Sequence, residues 1–151
     1  MLRMNVLFLC TGNSCRSQMA EGWVRHLAAL AIEAHSAGTV AKGLDPRAVA
    51  VMAEAGVDIS GQQSKTLDDL GDLAFDHVVT LCRSARESCP VFPGATRVMH
   101  RGFDDPPALA RQARCEAEAL GHYRRVRDDI RVFVEQLPRL LAGEGAPSAG
   151  S

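Results

Sequence analysis

The segment with the clearest chemical potential is residues 10–17, which has the form C-x5-R-S between an apolar run and a helical pattern. Gly12 and Asn13 tolerate positive φ, so the loop can curl with its N–H groups inward. Such a loop at a helix N-terminus is an anion site, and Arg16 is spaced to grip two oxygens at once. We therefore predict that Cys10 is a thiolate facing a tetrahedral oxyanion. The predicted anion-binding residues are Thr11, Gly12, Asn13, Ser14, Cys15, Arg16 and Ser17, the last also donating to the Cys10 sulfur.

The cysteine inventory indicates redox chemistry rather than structural disulfides. The five cysteines are Cys10, Cys15, Cys82, Cys89 and Cys115. An odd count without a signal peptide argues against a disulfide framework. The C-x2-C spacing that is typical of zinc sites does not occur. Inert buried thiols remain the alternative, most reasonably for Cys82, which follows an apolar run. We expect Cys15 to pack, with a Cys10–Cys15 disulfide as a hazard, and we assign Cys115 no role. The stretch between Cys82 and Cys89 has no Gly or Pro and could be helical in the reduced protein.

Composition limits the functional classes. The chain has 151 residues and a formal net charge of −1. It therefore lacks the net positive charge that would attract a nucleic acid or an anionic membrane. The first apolar run, residues 4–10, is too short for a signal peptide or a membrane span, so we expect a cytoplasmic protein. We predict one domain over residues 1–142, a disordered tail over 143–151, and a monomer.

The elements around these cysteines alternate between strands and helices. Apolar runs predict strands at 5–9, 32–37, 75–81 and, more weakly, 96–99. Helical patterns cover 17–30, a segment from Asp45-Pro46 to Gly56, and 108–141, which Gly121 divides. This order predicts an α/β fold with a parallel sheet flanked by helices on both faces. Ligands bind beyond the carboxyl ends of such strands, where Cys10 and Cys82 both lie. If strands one and three are neighbours, about 4.8 Å apart, Cys82 can reach Cys10.

The segment LCTGNSCRSQMAEGW, residues 9–23, resembles the low-molecular-weight protein tyrosine phosphatase fold. The resemblance extends to about Leu141 and implies a single domain with strand order 2-1-3-4. It also implies a general acid in a late Asp-Pro segment, which Asp105-Pro106 matches. Asp104 is the alternative acid, and a simple helix cap is the alternative role.

More narrowly, the same segment is similar to the thioredoxin-coupled arsenate reductases. That resemblance implies a three-thiol cascade. Cys10 attacks arsenate, Cys82 then forms a disulfide with Cys10, and Cys89 finally attacks Cys82 to form a Cys82–Cys89 disulfide. Thioredoxin would reduce the Cys82–Cys89 disulfide, and no cofactor would be bound. Phosphate and sulfate would share the arsenate site.

Two other functions remain open. A phosphomonoesterase, including a phosphotyrosine phosphatase, needs only the loop and the acid, and would leave Cys82 and Cys89 incidental. Against phosphotyrosine, aromatic residues make up only 5% of the chain, and Pro107-Ala108 rather than aromatics follow the Asp-Pro pair. A non-catalytic redox sensor or phosphoprotein-binding module is the third possibility, and the intact Cys10, Arg16 and Asp105 argue against it.

A bound metal is not expected. The five histidines show no metal-binding spacing. Some relatives hold a potassium ion with residues that match Asn13, Glu21 and Ser36, together with an acidic residue near position 65. Lys65 stands there in this chain, so its ammonium could replace the cation, unless Lys65 is only a solvated loop charge.

Overall fold

The computed structural model describes residues 3–92 and 94–143, so residues 144–151 of the predicted tail lie outside the described part. The strands are β1 (Met4–Cys10), β2 (Ile32–Gly38), β3 (His77–Thr80) and β4 (Arg97–His100). The helices are α1 (Arg16–Leu27), α2 (Pro46–Glu54), α3 (Arg83–Glu87), α4 (Pro106–Arg111) and α5 (Glu116–Leu141), with a 3-10 turn at Asp68–Leu70.

The four strands form one parallel sheet in the order β2-β1-β3-β4, which confirms the predicted fold class and topology. Leu9 of β1 lies opposite Thr80 of β3, and Cys10 lies opposite Gly38 of β2. Successive side chains of a strand point to opposite faces. Since Val6, Leu7 and Phe8 are all fully buried, both faces of the sheet are covered. The central position of β1 places Cys10 at the middle of the carboxyl edge.

The helices pack as their patterns predict. Helix α1 lies against β1 and β2, and α5 packs against α1, α2 and α4. Asp45 caps α2 by accepting the backbone N–H of Arg47, and Gly56 follows that helix with φ +86°, as predicted. Within residues 3–92 and 94–143, no helix combines the length and apolar character needed to span a bilayer.

The predicted division of the last helical region at Gly121 is wrong. The break between α4 and α5 falls at residues 112–115, and α5 continues through Gly121. A glycine inside a helix costs only about 1 kcal/mol. Burying one large apolar side chain contributes about 1.5–3 kcal/mol. The buried stripe of α5, which includes Tyr123, Val126 and Ile130, therefore outweighs the single glycine.

Candidate active site

The backbone of the oxyanion loop, residues 10–16, turns at Asn13, which has φ +47°. Gly12 is not in the left-handed region, so the expectation that both residues use positive φ holds for Asn13 alone. A Cβ atom on Gly12 would lie 2.8 Å from Cδ of Lys42, whose aliphatic stem crosses the loop, so a larger residue there would displace the Lys42 side chain.

The segment after β2 holds the loop through backbone hydrogen bonds. Val40 N–H donates to the Thr11 carbonyl at 3.1 Å, and Lys42 N–H donates to the Gly12 carbonyl at 2.9 Å. Gly38 permits this approach, because a Cβ on it would lie 2.6–2.7 Å from backbone atoms of Thr11, Asn13 and Val40. Sequence reasoning missed Gly38, whose only signal was a glycine at the carboxyl end of a strand beside the loop.

A buried chain of hydrogen bonds leads to the Cys10 sulfur. The Asn13 side-chain amide donates to Ser17 Oγ at 2.8 Å, and Ser17 Oγ lies 2.8 Å from Cys10 Sγ. Because Ser17 Oγ already accepts from Asn13, its own hydrogen is free to point at the sulfur. The Asn13 side-chain oxygen is fixed by Gln18 Nε2 at 3.0 Å and by the Lys65 N–H at 2.7 Å.

Gln18 is a supporting residue that the sequence reasoning missed. Its side chain is fully buried, and it also donates to the backbone carbonyls of Asn13 and Gln63, each at 3.0 Å. A buried polar residue is ordinarily hydrogen-bonded. The sequence showed only an amide directly after C-x5-R-S, and the burial of the first nine residues of α1 became visible in the structure.

Arg16 and Asp105 meet at the mouth of the loop. Arg16 Nη1 donates to the Phe103 carbonyl at 3.1 Å, and Nη2 lies 3.6 Å from Asp105 Oδ1. Asp105 lines the same pocket as Cys10. Asp104 instead pairs with Arg125 at 3.0 Å on the outside of the molecule. The geometry therefore favours Asp105 over Asp104 as the acid.

Cys82 lies beside the loop at the N-cap position of α3. Its sulfur accepts the Ala85 N–H at 3.4 Å and lies 3.3 Å from Thr11 Oγ1. The adjacency of β1 and β3 fulfils the condition under which Cys82 was expected to reach Cys10. Cys82 and Cys10 are both buried, and all five cysteines are free thiols.

Cys89 lies just beyond α3 and is half-buried. It shares a narrow, mostly apolar cleft with Cys10, which Leu67 and Ala85 also line. Burial raises the pKa of the Cys89 thiol. The segment between Cys82 and Cys89 is helical, as the sequence allowed for the reduced protein.

The two remaining cysteines differ in environment. Burial raises the pKa of the Cys15 thiol strongly, and the negative charge of Asp45 adds to that effect. Cys15 is therefore a neutral, buried thiol within the loop, consistent with packing. Cys115 is exposed at the N-cap position of α5.

The polar cluster next to the loop contains Lys65. Its ammonium lies 4.0 Å from Glu21 Oε1 and donates to the Gln63 carbonyl at 2.9 Å. The buried Glu21 carboxylate also accepts the Ser36 hydroxyl and pairs with Arg25 at 2.6 Å. Two cations already neutralise Glu21, so these residues do not fit an additional alkali-metal ion.

The loop opens into a pocket of about 190 Å³, and two cationic residues that line it were not predicted. Lys42 comes from the segment after β2, and Arg111 is the last residue of α4. Neither has a local sequence signal, since each reaches the loop only through the tertiary fold.

Comparisons with known proteins agree with this geometry. The family model described as low molecular weight phosphotyrosine protein phosphatase matches residues 5–144. The arsenate reductase of Bacillus subtilis (strain 168) is 48% identical over 126 residues, covering 83% of this chain and 88% of the relative. The structure of an arsenate reductase in the phosphate binding state aligns with a TM-score of 0.72 and 31% identity, over 91% of this chain and 98% of the other. A thioredoxin-dependent arsenate reductase from Corynebacterium glutamicum aligns with a TM-score of 0.69 and 26% identity, over 93% and 62% of the two chains.

Proposed function

The chain belongs to the low molecular weight phosphotyrosine protein phosphatase family and, within it, to the arsenate reductases, and we propose that it reduces arsenate through Cys10, Cys82 and Cys89. The observation that carries the proposal is the placement of three free thiols around one oxyanion loop. Thr11 contacts Cys82, and Cys89 shares a cleft with Cys10. A hydrolase of this fold would need only the loop and Asp105.

In the first step, the Cys10 thiolate attacks the arsenic of the bound dianion. One As–O bond breaks, and Asp105 donates its proton so that the oxygen leaves as water. The product is a Cys10–S–As(V) adduct, whose oxygens lie in the field of the loop N–H groups and Arg16.

In the second step, the Cys82 thiolate attacks the Cys10 sulfur. The S–As bond breaks with its electron pair on arsenic, so As(V) becomes As(III) while two thiolates become the Cys10–Cys82 disulfide. Arsenite takes up protons from solvent and leaves. The Cys82 sulfur accepts the Ala85 N–H and lies beside Thr11 Oγ1, so it is held next to the oxyanion loop.

In the third step, the Cys89 thiolate attacks Cys82, and Cys10 leaves as a thiolate. Residues 83–87 between Cys82 and Cys89 form α3, and a fully helical path of seven steps would rise about 10.5 Å. Because a disulfide requires Cα atoms no more than about 7 Å apart, we expect α3 to unwind before the bond forms. Unwinding exposes Cys89 to water, which relieves the burial that raises its pKa.

The resulting Cys82–Cys89 disulfide needs an external dithiol, for which we propose thioredoxin. The thioredoxin-dependent relative from Corynebacterium glutamicum supports this choice of reductant. The cycle requires no bound cofactor, and it requires a compartment that keeps thiols reduced, such as the cytoplasm.

The proposal is tested by assaying two activities in four proteins: wild type, Cys82→Ser, Cys89→Ser and the control Cys115→Ser. One assay measures arsenate-dependent NADPH oxidation with thioredoxin and thioredoxin reductase, and the other measures hydrolysis of para-nitrophenyl phosphate. We expect Cys82→Ser and Cys89→Ser to lose reduction but keep a weak hydrolysis, and Cys115→Ser to keep both. Thioredoxin-driven reduction at the wild-type rate by either of the first two variants would show that the cascade is wrong.

A phosphomonoesterase is the second candidate function. The pairing of Arg16 with Asp105 at the pocket mouth supports it, because anion binding and leaving-group protonation suffice for ester hydrolysis. If wild type hydrolyses phosphate esters rapidly and produces no arsenite with thioredoxin, this function replaces the first.

A further inference from the structure

The anion pocket is lined by two cationic side chains that have no role in the reaction steps proposed above. Lys42 and Arg111, hereafter the cationic rim, both line the pocket that contains Cys10. In the described part of the chain neither pairs with a carboxylate within 4.0 Å, whereas Arg16 is paired with Asp105. The rim therefore presents two uncompensated positive charges to whatever enters.

Lys42 is held in place by the loop itself. Its backbone N–H donates to the Gly12 carbonyl at 2.9 Å, and Ser64 Oγ donates to the same carbonyl at 3.2 Å. The side-chain stem then lies over Gly12, where a Cβ would come within 3.3 Å of three of its carbons. A long cationic side chain commonly lays its stem along the surface and keeps its charge in water. The stem of Lys42 therefore lies over the oxyanion loop, in the lining of the pocket that contains Cys10.

Arg111 is held by the same short helix that presents the acid. Helix α4 begins directly after Asp105 and ends at Arg111, and Leu109 N–H donates to the Asp105 carbonyl at 3.1 Å. Pro107 of this helix also lines the pocket. The two rim residues therefore come from separate segments, Lys42 from the segment after β2 and Arg111 from α4.

The pocket wall is polar and charged rather than aromatic. No residue that lines it, within the described part of the chain, is Phe, Tyr or Trp. The chain as a whole carries a formal charge of −1, so its net charge does not attract anions. Attraction must come from local charges, which act over about 10 Å at 0.1 M salt.

We propose that the cationic rim selects substrates by charge, so that the site prefers dianionic over monoanionic tetrahedral oxyanions. The inference deepens the proposed function, since it assigns Lys42 and Arg111 to the capture of the arsenate dianion. The loop N–H groups and Arg16 recognise the tetrahedral shape, and the rim adds an interaction proportional to the charge of the ligand. Neither rim residue takes part in bond making or breaking.

Sulfate and perchlorate are suitable probes because both are tetrahedral, and they differ in charge. Binding of each sodium salt to the reduced protein is measured by NMR titration at a fixed ionic strength. The proteins are wild type, Lys42→Gln, Arg111→Gln and a control, Arg139→Gln. Arg139 is exposed near the end of α5, 23 residues beyond Glu116, or about 35 Å along the helix.

We expect each rim variant to weaken sulfate binding about fivefold and perchlorate binding about twofold. A monoanion feels half the interaction energy of a dianion, so its loss of affinity is the square root of the loss for sulfate. The control should change neither affinity, and circular dichroism should show that all variants are folded. Equal losses for both anions would overturn the proposal, because the rim would then act through loop structure. Unchanged sulfate binding would overturn it as well.

The titration needs no turnover, so its outcome is independent of arsenate reduction. If the rim variants lose sulfate selectively while wild type fails to reduce arsenate, the proposed function fails and the charge selection stands. With arsenate as substrate, KM should rise in the rim variants while kcat stays unchanged, because the rim acts on capture only.

Discussion

The oxyanion loop (residues 10–16) and the thiol segment (residues 82–89) lie side by side yet are held very differently. The loop receives hydrogen bonds from the segment after β2, from Gln18 of α1 and from the backbone of Lys65. The thiol segment contains a helix of only five residues, of which Ala85 alone is buried. One region is fixed from several directions, and the other has little apolar burial to lose.

This contrast separates two tasks of the proposed reaction. Binding and activating an oxyanion needs donors that do not move, because preorganised dipoles cost no reorganisation during the reaction. Passing a disulfide from Cys10 towards solvent needs thiols that change partners, and therefore a segment that can unwind. A rigid α3 would keep Cys89 too far from Cys82.

The largest expected effect is at the shared nucleophile. Cys10→Ser should lower both arsenate reduction and ester hydrolysis by at least about 10⁴-fold, because the thiolate begins both reactions. Arsenite release and para-nitrophenol release measure the two activities. Appreciable arsenite formation by this variant would mean that the fixed loop does not supply the nucleophile.

Gly38→Ala should damage the fixed region without touching the thiol segment. The added Cβ would lie 2.6–2.7 Å from three backbone atoms. We expect a stability loss of about 1–3 kcal/mol. We also expect kcat/KM to fall about 100-fold for both activities, since the loop must shift.

The control for this prediction is Gly61→Ala. A Cβ atom on Gly61 would meet nothing within 4 Å beyond its own chain neighbours, and Gly61 has no positive φ. Thermal unfolding and both activity assays are measured on Gly38→Ala and Gly61→Ala. If Gly38→Ala matches Gly61→Ala, the contact with β2 does not hold the loop.

A smaller effect concerns motion of the thiol segment. Hydrogen exchange on the reduced and the Cys82–Cys89 oxidised protein should show faster exchange at residues 82–92 after oxidation. Residues 10–16 should keep their protection, because the oxyanion loop does not change partners. Equal protection of residues 82–92 in both states, with the disulfide verified by mass spectrometry, would show that the thiol segment does not unwind on oxidation.

The smallest effect is expected from monovalent cations. Because Lys65 and Arg25 already neutralise Glu21, replacing Na⁺ by K⁺ should leave kcat/KM unchanged. A matched test uses Lys65→Gln, in which one of the two cations is lost. A clear activation of the wild type by K⁺ would show that an ion supports the loop from this side.

The sequence predicted what depends on local pattern. Apolar runs and turn residues indicated four strands, the helix start at Asp45 and its end at Gly56, and the loop was recognisable from C-x5-R-S. Contacts between segments far apart in the chain were not predicted, and these are the contacts of Gly38, Gln18, Lys42 and Arg111. The break before α5 was misplaced for a related reason, since burial of the stripe around Tyr123 overrides the local cost of Gly121.

A single turnover without thioredoxin tests whether Cys10, Cys82 and Cys89 act in sequence. Fully reduced protein is mixed with excess arsenate, the arsenite formed is quantified, and the disulfides are mapped by mass spectrometry. We expect one arsenite per chain and a Cys82–Cys89 disulfide in wild type, and a trapped Cys10–Cys82 disulfide in Cys89→Ser. Arsenite release that leaves Cys82 and Cys89 as free thiols, or a disulfide through Cys15 or Cys115 instead, would contradict it.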